Sequence, residues 1–138
     1  FAVNVRGAYL CTNAAMPLFL KRHRGVIINV SSMWGQVGAS CEAAYSAAKA
    51  GVIGLTKALA KELGPSGITV NCVAPSMMET NFLKDTPDLI VQAAAEENPM
   101  GRNATPADVV PAMAFLLSDE ARFITGVTLP VTGGSAIV

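Results

Sequence analysis

Residues 26–49 read VIINVSSMWGQVGASCEAAYSAAK. The β-branched run Val26–Val30 is short and almost wholly apolar, as expected of a strand covered on both faces of a parallel sheet. Ser31 to Glu42 contains Gly35 and Gly38 and reads as a loop. From Ala43 to Leu63 the chain is alanine-rich and free of proline, and Gly64-Pro65 closes it, so this stretch reads as a long helix. A buried strand feeding a loop and then a helix is the repeating unit of an α/β domain.

The same grammar continues outward. Ile68–Val73 (ITVNCV) reads as a second buried strand, stopped by Pro75. Ser76 to Arg102 is a long segment rich in Met, Asn and Pro. A connection of that length is usually a lid or binding loop, often with a helix of its own, here Asp88–Glu97. Thr105-Pro106 opens the next helix, with Thr as N-cap and Pro at the first position, running to about Leu117. Val127–Val131 is a third short strand, ended by Thr132-Gly133-Gly134. Upstream, residues 1–23 read as a helix carrying Val5, Leu10, Pro17 and Leu20, with Gly25 as its terminator. The alternation implies an α/β fold with a parallel, doubly wound sheet. Three strands with an unpaired edge at VIINV would stand poorly alone. The reading therefore expects further strands upstream, roughly 100 residues of them, and treats 1–138 as one partial domain.

Composition narrows the function classes. The 138 residues are 51% hydrophobic and only 14% charged, enough for a large core and more apolar than an average domain. Lys+Arg and Asp+Glu both number 10, which argues against nucleic acid or an anionic membrane as partner. The basic knot Lys21, Arg22, Arg24 fits a solvated helix end, and His23 within it makes no metal site. Cys11, Cys41 and Cys72 show no metal or redox spacing and are expected to be buried thiols in a reducing cytoplasm. No run is long enough to span a membrane.

The chemistry-bearing set is Ser32, Tyr45 and Lys49. Tyr45 and Lys49 are four apart on a helix, so their azimuths differ by only ~40° and the side chains can stack. A cation at ~4 Å, with an effective dielectric of ~20, is worth up to about 4 kcal/mol, or about three pKa units. Such a cation would draw a tyrosine toward neutrality, where general acid catalysis is most efficient. Ser32 emerges from the C-terminal end of a strand, where ligands bind in open α/β sheets, and its hydroxyl can hold a substrate oxygen. A Tyr-x-x-x-Lys pair alone is also what a surface tyrosine on a lysine stem looks like. The serine at a strand end is what favours chemistry.

These motifs resemble the C-terminal part of the short-chain dehydrogenase/reductase family along essentially all 138 residues. Asn4 in FAVNVRG matches that family's helix asparagine, and Ser32, Tyr45 and Lys49 match its catalytic serine, tyrosine and lysine. Asn71 and Pro75 match the following strand-to-loop motif, and Ile124-Thr125-Gly126 with Gly133-Gly134 match its C-terminal signature. The resemblance implies a Rossmann-like fold and hydride transfer between a nicotinamide cofactor and a carbonyl carbon. Tyr45 would donate the proton, Lys49 would lower the tyrosine pKa and bond the cofactor ribose, and Ser32 would polarise the carbonyl. Asn4 would support a proton relay. Pro75, Met78 and Thr80, with Tyr45 and Lys49, would contact the cofactor, NADPH in the reductases it resembles most, with NADH as the alternative. Asn71 is expected to be structural, and Asn29 and Ser31 to be structural or cofactor-adjacent.

Two positions depart from the pattern. Ser76 stands where glycine is usual and would strain a loop that needed positive φ, and Thr132 stands where aspartate is common. No phosphate-binding glycine turn is present, so residues 1–138 alone are expected to be inactive and not to hold a dinucleotide tightly. Met33, Trp34, Cys41 and Met77, with Ser32, are substrate-pocket candidates, joined by Phe82 and Glu42; Met and Trp there fit ordinary core equally well. The whole resembles the 3-oxoacyl-carrier-protein reductases. The stretch SSMWGQVGASCEAAYSAAK is similar to reductases acting on an aminopentanone group attached to elongation factor P. The resemblance further implies a small-molecule or carrier-linked carbonyl substrate and a homotetramer joined partly through the alanine-rich helix. A non-catalytic protein that kept the fold is the rival reading.

Overall fold

The computed structural model describes all of residues 1–138. One π-type turn, Ala2–Arg6, leads into α1 (Gly7–Arg22); then come β1 (Gly25–Val30), α2 (Trp34–Val37), α3 (Ala43–Leu63) and β2 (Ile68–Pro75). The remainder is α4 (Asp88–Glu97), α5 (Pro106–Leu117) and β3 (Thr128–Val131). All three strands are parallel, in the order β1-β2-β3, and the edge of β1 away from β2 carries no strand.

β2 is the centre, and alternation along it explains the layers. Ile68 and Val70 pack with Leu59, Ala60 and Leu63 of α3 on one face. Val73, one residue out of phase, packs with Val109 and Leu116 of α5 and with Ala121 on the other. Asn71 is fully buried and structural, as expected: its Nδ2 donates to the Ile124 carbonyl (2.8 Å) and its Oδ1 accepts from the Val127 amide (3.2 Å). Asn29 Nδ2 donates to Thr56 Oγ1 (2.9 Å), which ties β1 to α3. Both groups are buried and paired, so each bond contributes on the order of 1 kcal/mol, and losing one partner would cost more.

Four sequence expectations change. α1 ends at His23, whose left-handed backbone (φ 47°) lets its amide reach the Leu20 and Phe19 carbonyls. Gly25 instead starts β1, where an added Cβ would lie 2.7 Å from the Phe19 ring. The segment 31–42 is not all loop, because residues 34–37 close the short helix α2. Cys11 and Cys41 are exposed, and only Cys72 is buried. Cys11 sits one position, or ~100° of helix azimuth, from the buried Thr12, so the two face opposite environments.

Other expectations hold. α3, α4 and α5 have the expected bounds, and Thr105-Pro106 opens α5. There the Asp108 carboxylate accepts from the Thr105 amide (2.8 Å) and takes both guanidinium arms of Arg102 (2.8 and 2.7 Å). The Arg102 hydrogen bonds, and then those from Thr105, hold the Asp108 carboxyl far below its usual range. No helix is long and apolar enough to cross a membrane.

Candidate active site

A cleft of about 500 Å³ opens at the C-terminal ends of β1 and β2. The chain leaving β1 stays hydrogen-bonded to β2: Ser31 N–H donates to the Val73 carbonyl (2.8 Å) and Met33 N–H to the Pro75 carbonyl (2.9 Å). Ser32 is held between these two bonds and is buried. Its Oγ accepts from the Trp34 amide (3.2 Å), the first turn of α2. An oxygen that accepts from the backbone leaves its own hydrogen free for a group in the cleft.

α2 is pressed onto α3 by a missing side chain. A Cβ at Gly35 would lie 2.7 Å from the Lys49 carbonyl carbon and 2.7 Å from Ser31 Oγ. Ser31 Oγ itself donates to the Lys49 carbonyl (2.8 Å). This contact brings Trp34 edge-on to Tyr45, with centroids 6.2 Å apart and planes at 85°, the geometry aromatic quadrupoles prefer. A second close approach places Asn4. A Cβ at Gly51 of α3 would lie 3.2 Å from Val5 Cγ2, so the π-type turn packs on α3 and presents Asn4 to the cleft.

Lys49 Nζ lies 5.6 Å from the centre of the Tyr45 ring and donates to the Val30 carbonyl (3.1 Å). The expected consequence, a depressed tyrosine pKa, does not follow. Burial pushes Tyr45 above its ordinary value and the Glu42 carboxylate adds to the rise, against a lowering by the Ser32 hydroxyl. Burial also lowers Lys49. The physical reason is orientation: the ammonium is turned to a strand carbonyl and sits by the ring, while the phenol faces a partly desolvated cleft.

The opposite wall is the segment after β2. Pro75, Met77, Met78 and Thr80 line it, with Leu83 and the largely exposed Phe82 at its rim. One bridge, Met78 to Ala104, anchors the segment: Ala104 N–H donates to the Met77 carbonyl (3.0 Å) and Glu79 N–H to the Ala104 carbonyl (2.9 Å). Ser76 is free of the anticipated strain, since the positive-φ residues other than glycine are His23 and Cys41 alone. Thr132 is absorbed structurally, its Oγ1 donating to the Ala136 carbonyl (3.1 Å).

Asn4, Ser32, Tyr45 and Lys49 therefore meet in one cleft with Met33, Trp34, Pro75, Met77, Met78 and Thr80. Cys41 does not line it. That residue is exposed on a left-handed turn (φ 63°), its sulfur 3.8 Å from Ser40 Oγ. Val3, Val30 and Leu83 also line the cleft and carried no sequence signal beyond their neighbours Asn4, Ser31 and Phe82. No cluster of three or more His, Cys, Asp or Glu side chains is placed to hold a metal ion.

A strand-end serine and a helical Tyr-Lys pair beside a parallel sheet thus share one cleft, and comparison with known proteins shows the family. The family model described as "Enoyl-(Acyl carrier protein) reductase" matches residues 1–136, and the chain belongs to the short-chain dehydrogenase/reductase family. It is 44% identical over 132 residues to the uncharacterized oxidoreductase YmfI of Bacillus subtilis, covering 96% of this chain and 54% of that protein. It is 42% identical over 131 residues to the 3-oxoacyl-[acyl-carrier-protein] reductase FabG of Staphylococcus aureus N315, covering 95% and 53%. A crystal structure of the Brucella melitensis 3-ketoacyl-(acyl-carrier-protein) reductase complexed with NADH superposes with a TM-score of 0.90 at 40% identity. That match covers 98% of this chain and 55% of the other. The chain thus spans about half the length of the relatives it matches, and its fold is that of the C-terminal half of theirs.

Proposed function

We propose that these residues form the catalytic part of a partial Rossmann-like domain in a ketoreductase that reduces a 3-oxoacyl group carried as a thioester. The reductant is NADPH, with NADH as the alternative. The observation that carries this reading is the convergence of Ser32, Tyr45 and Lys49 on one cleft at the strand ends. Retention of this set together speaks against a non-catalytic scaffold.

The residues fit a nicotinamide ring and its ribose. Pro75, Met77 and Met78 offer an apolar wall, Lys49 and Thr80 polar ends, and a buried Ser76 Oγ on the same wall has no partner. When bound, the cofactor supplies the hydride. The Ser32 hydrogen, freed by the Trp34 amide, holds the carbonyl oxygen. Tyr45 gives its phenolic proton to that oxygen. A phenol is protonated at neutral pH, the state a reduction requires, and burial holds that proton more tightly than in a free tyrosine. Lys49 would hold a ribose hydroxyl of the cofactor, and Asn4 would support return of a proton from water. The complete protein is read as a cytoplasmic homotetramer, and 1–138 alone as inactive.

A second reading is favoured by Glu42, which with Lys49 makes up the charged lining of the cleft. A carboxylate there suits a substrate bearing an amine, such as an aminopentanone group on elongation factor P. One experiment separates the two. The full-length gene product is given NADPH and either a 3-oxoacyl thioester or an amine-bearing ketone, and loss of reduced cofactor is followed. Turnover confined to the thioester supports the first reading, and turnover confined to the amine supports the second. Turnover of neither, with cofactor bound, removes both.

A further inference from the structure

Ser76 follows Pro75 at the end of β2, and its amide donates to the Val131 carbonyl (3.2 Å). Its Oγ is shielded from water and makes no hydrogen bond. A buried hydroxyl left unpaired is uncommon and calls for an explanation. The residue stands in two walls at once: that of the cleft, and that of a second cavity of about 210 Å³ lined by Asn98, Arg102, Asn103 and Asp108. In the second cavity the polar side chains are engaged by backbone groups or by each other. Asn98 Nδ2 donates to the Thr132 carbonyl (3.0 Å) and its Oδ1 accepts from the Met100 amide (2.8 Å). Asn103 Nδ2 donates to the Val91 carbonyl (2.9 Å), and Arg102 is committed to Asp108. None of these bonds reaches Ser76.

On the cleft side, Ser76 is flanked by Pro75, Met77 and Met78, and the nearby Thr80 Oγ1 accepts from the Phe82 amide (3.3 Å), which leaves the Thr80 hydrogen as a second donor on this wall. Unbranched methionine side chains can move aside for a ligand. The Ser76 hydroxyl is the buried polar group on this wall that has no hydrogen-bond partner. A nicotinamide ring carries one polar substituent, a carboxamide, with both a donor and an acceptor. A serine hydroxyl can answer either.

We propose that the Ser76 hydroxyl hydrogen-bonds the nicotinamide carboxamide and contributes affinity that the glycine usual at this position cannot. The inference rests on the cofactor reading given above. Its test is binding, measured by calorimetry on the full-length gene product for the wild type, Ser76→Ala and Ser76→Gly. The probes are NADPH and 2′-phospho-ADP-ribose, which lacks the nicotinamide. Both variants are expected to bind NADPH about three- to tenfold more weakly and the truncated probe with unchanged affinity. Unchanged NADPH binding in a folded variant, or equal weakening for both probes, would overturn the proposal. The first result would leave Ser76 to the second cavity, and the second would make its effect one of folding. Failure of the wild type to bind either NADPH or NADH would instead remove the cofactor reading itself, and this contact with it.

Discussion

The two walls of the cleft are built differently. The wall from β1, α2 and α3 is held by backbone at every step: Ser31 and Met33 pair with β2, the Trp34 amide fixes Ser32, and Gly35 lets α2 touch the backbone of α3. The wall after β2 hangs from one bridge at Ala104 and offers methionines, a serine and an exposed phenylalanine. Chemistry requires reacting groups held to a fraction of an ångström, whereas recognition tolerates side chains that repack. The molecule places Ser32, Tyr45 and Lys49 on the first wall and its adaptable contacts on the second.

The largest break in this contrast comes from Tyr45→Phe in the full-length protein. Removing a general acid is expected to lower kcat about 10²–10⁴-fold, with a melting temperature close to wild type, because no hydrogen bond of the scaffold runs through the phenol. Steady-state kinetics beside a thermal melt checks both parts. Gly35→Ala attacks the scaffold instead. Its Cβ would meet Lys49 backbone at 2.7 Å, so the variant should lose about 1–3 kcal/mol of stability and some kcat, as α2 carries Trp34 and the Ser32 contact away from Tyr45. Chemical denaturation with kinetics on the folded fraction would show this. A neutral Gly35→Ala would mean that the first wall is not tight.

Met78→Ala probes the second wall. A few-fold rise in KM with kcat retained is expected, as for a contact made equally in ground and transition states. The smallest effect belongs to Glu42→Gln. The Glu42 charge helps hold the Tyr45 pKa up. Its removal lowers that pKa, and the alkaline limb of the rate profile for reduction, where Tyr45 loses its proton, moves to lower pH. A shift to higher pH would contradict the assigned electrostatics.

The sequence made one wall far more legible than the other. Ser32, Tyr45 and Lys49 could be read because a strand end and an i, i+4 helical pair have fixed geometry. Asn71 could be read because an amide side chain in a buried strand must bond its neighbours' backbone. The segment 31–42 had no period, so neither α2 nor the Gly35 contact was visible, and Cys41 was placed in a pocket it turns away from. The direction of the Tyr45 shift was missed for a similar reason. Sequence spacing put Lys49 beside the ring, but the Val30 carbonyl decides where its ammonium points.

The central claim is that Ser32 and Tyr45 act as one unit on one substrate oxygen. Its most direct test is kcat/KM for Ser32→Ala, Tyr45→Phe and the double variant of the full-length protein. Residues that work together lose their effect together, so the double variant should be little slower than Tyr45→Phe alone. Losses that multiply independently would contradict the account.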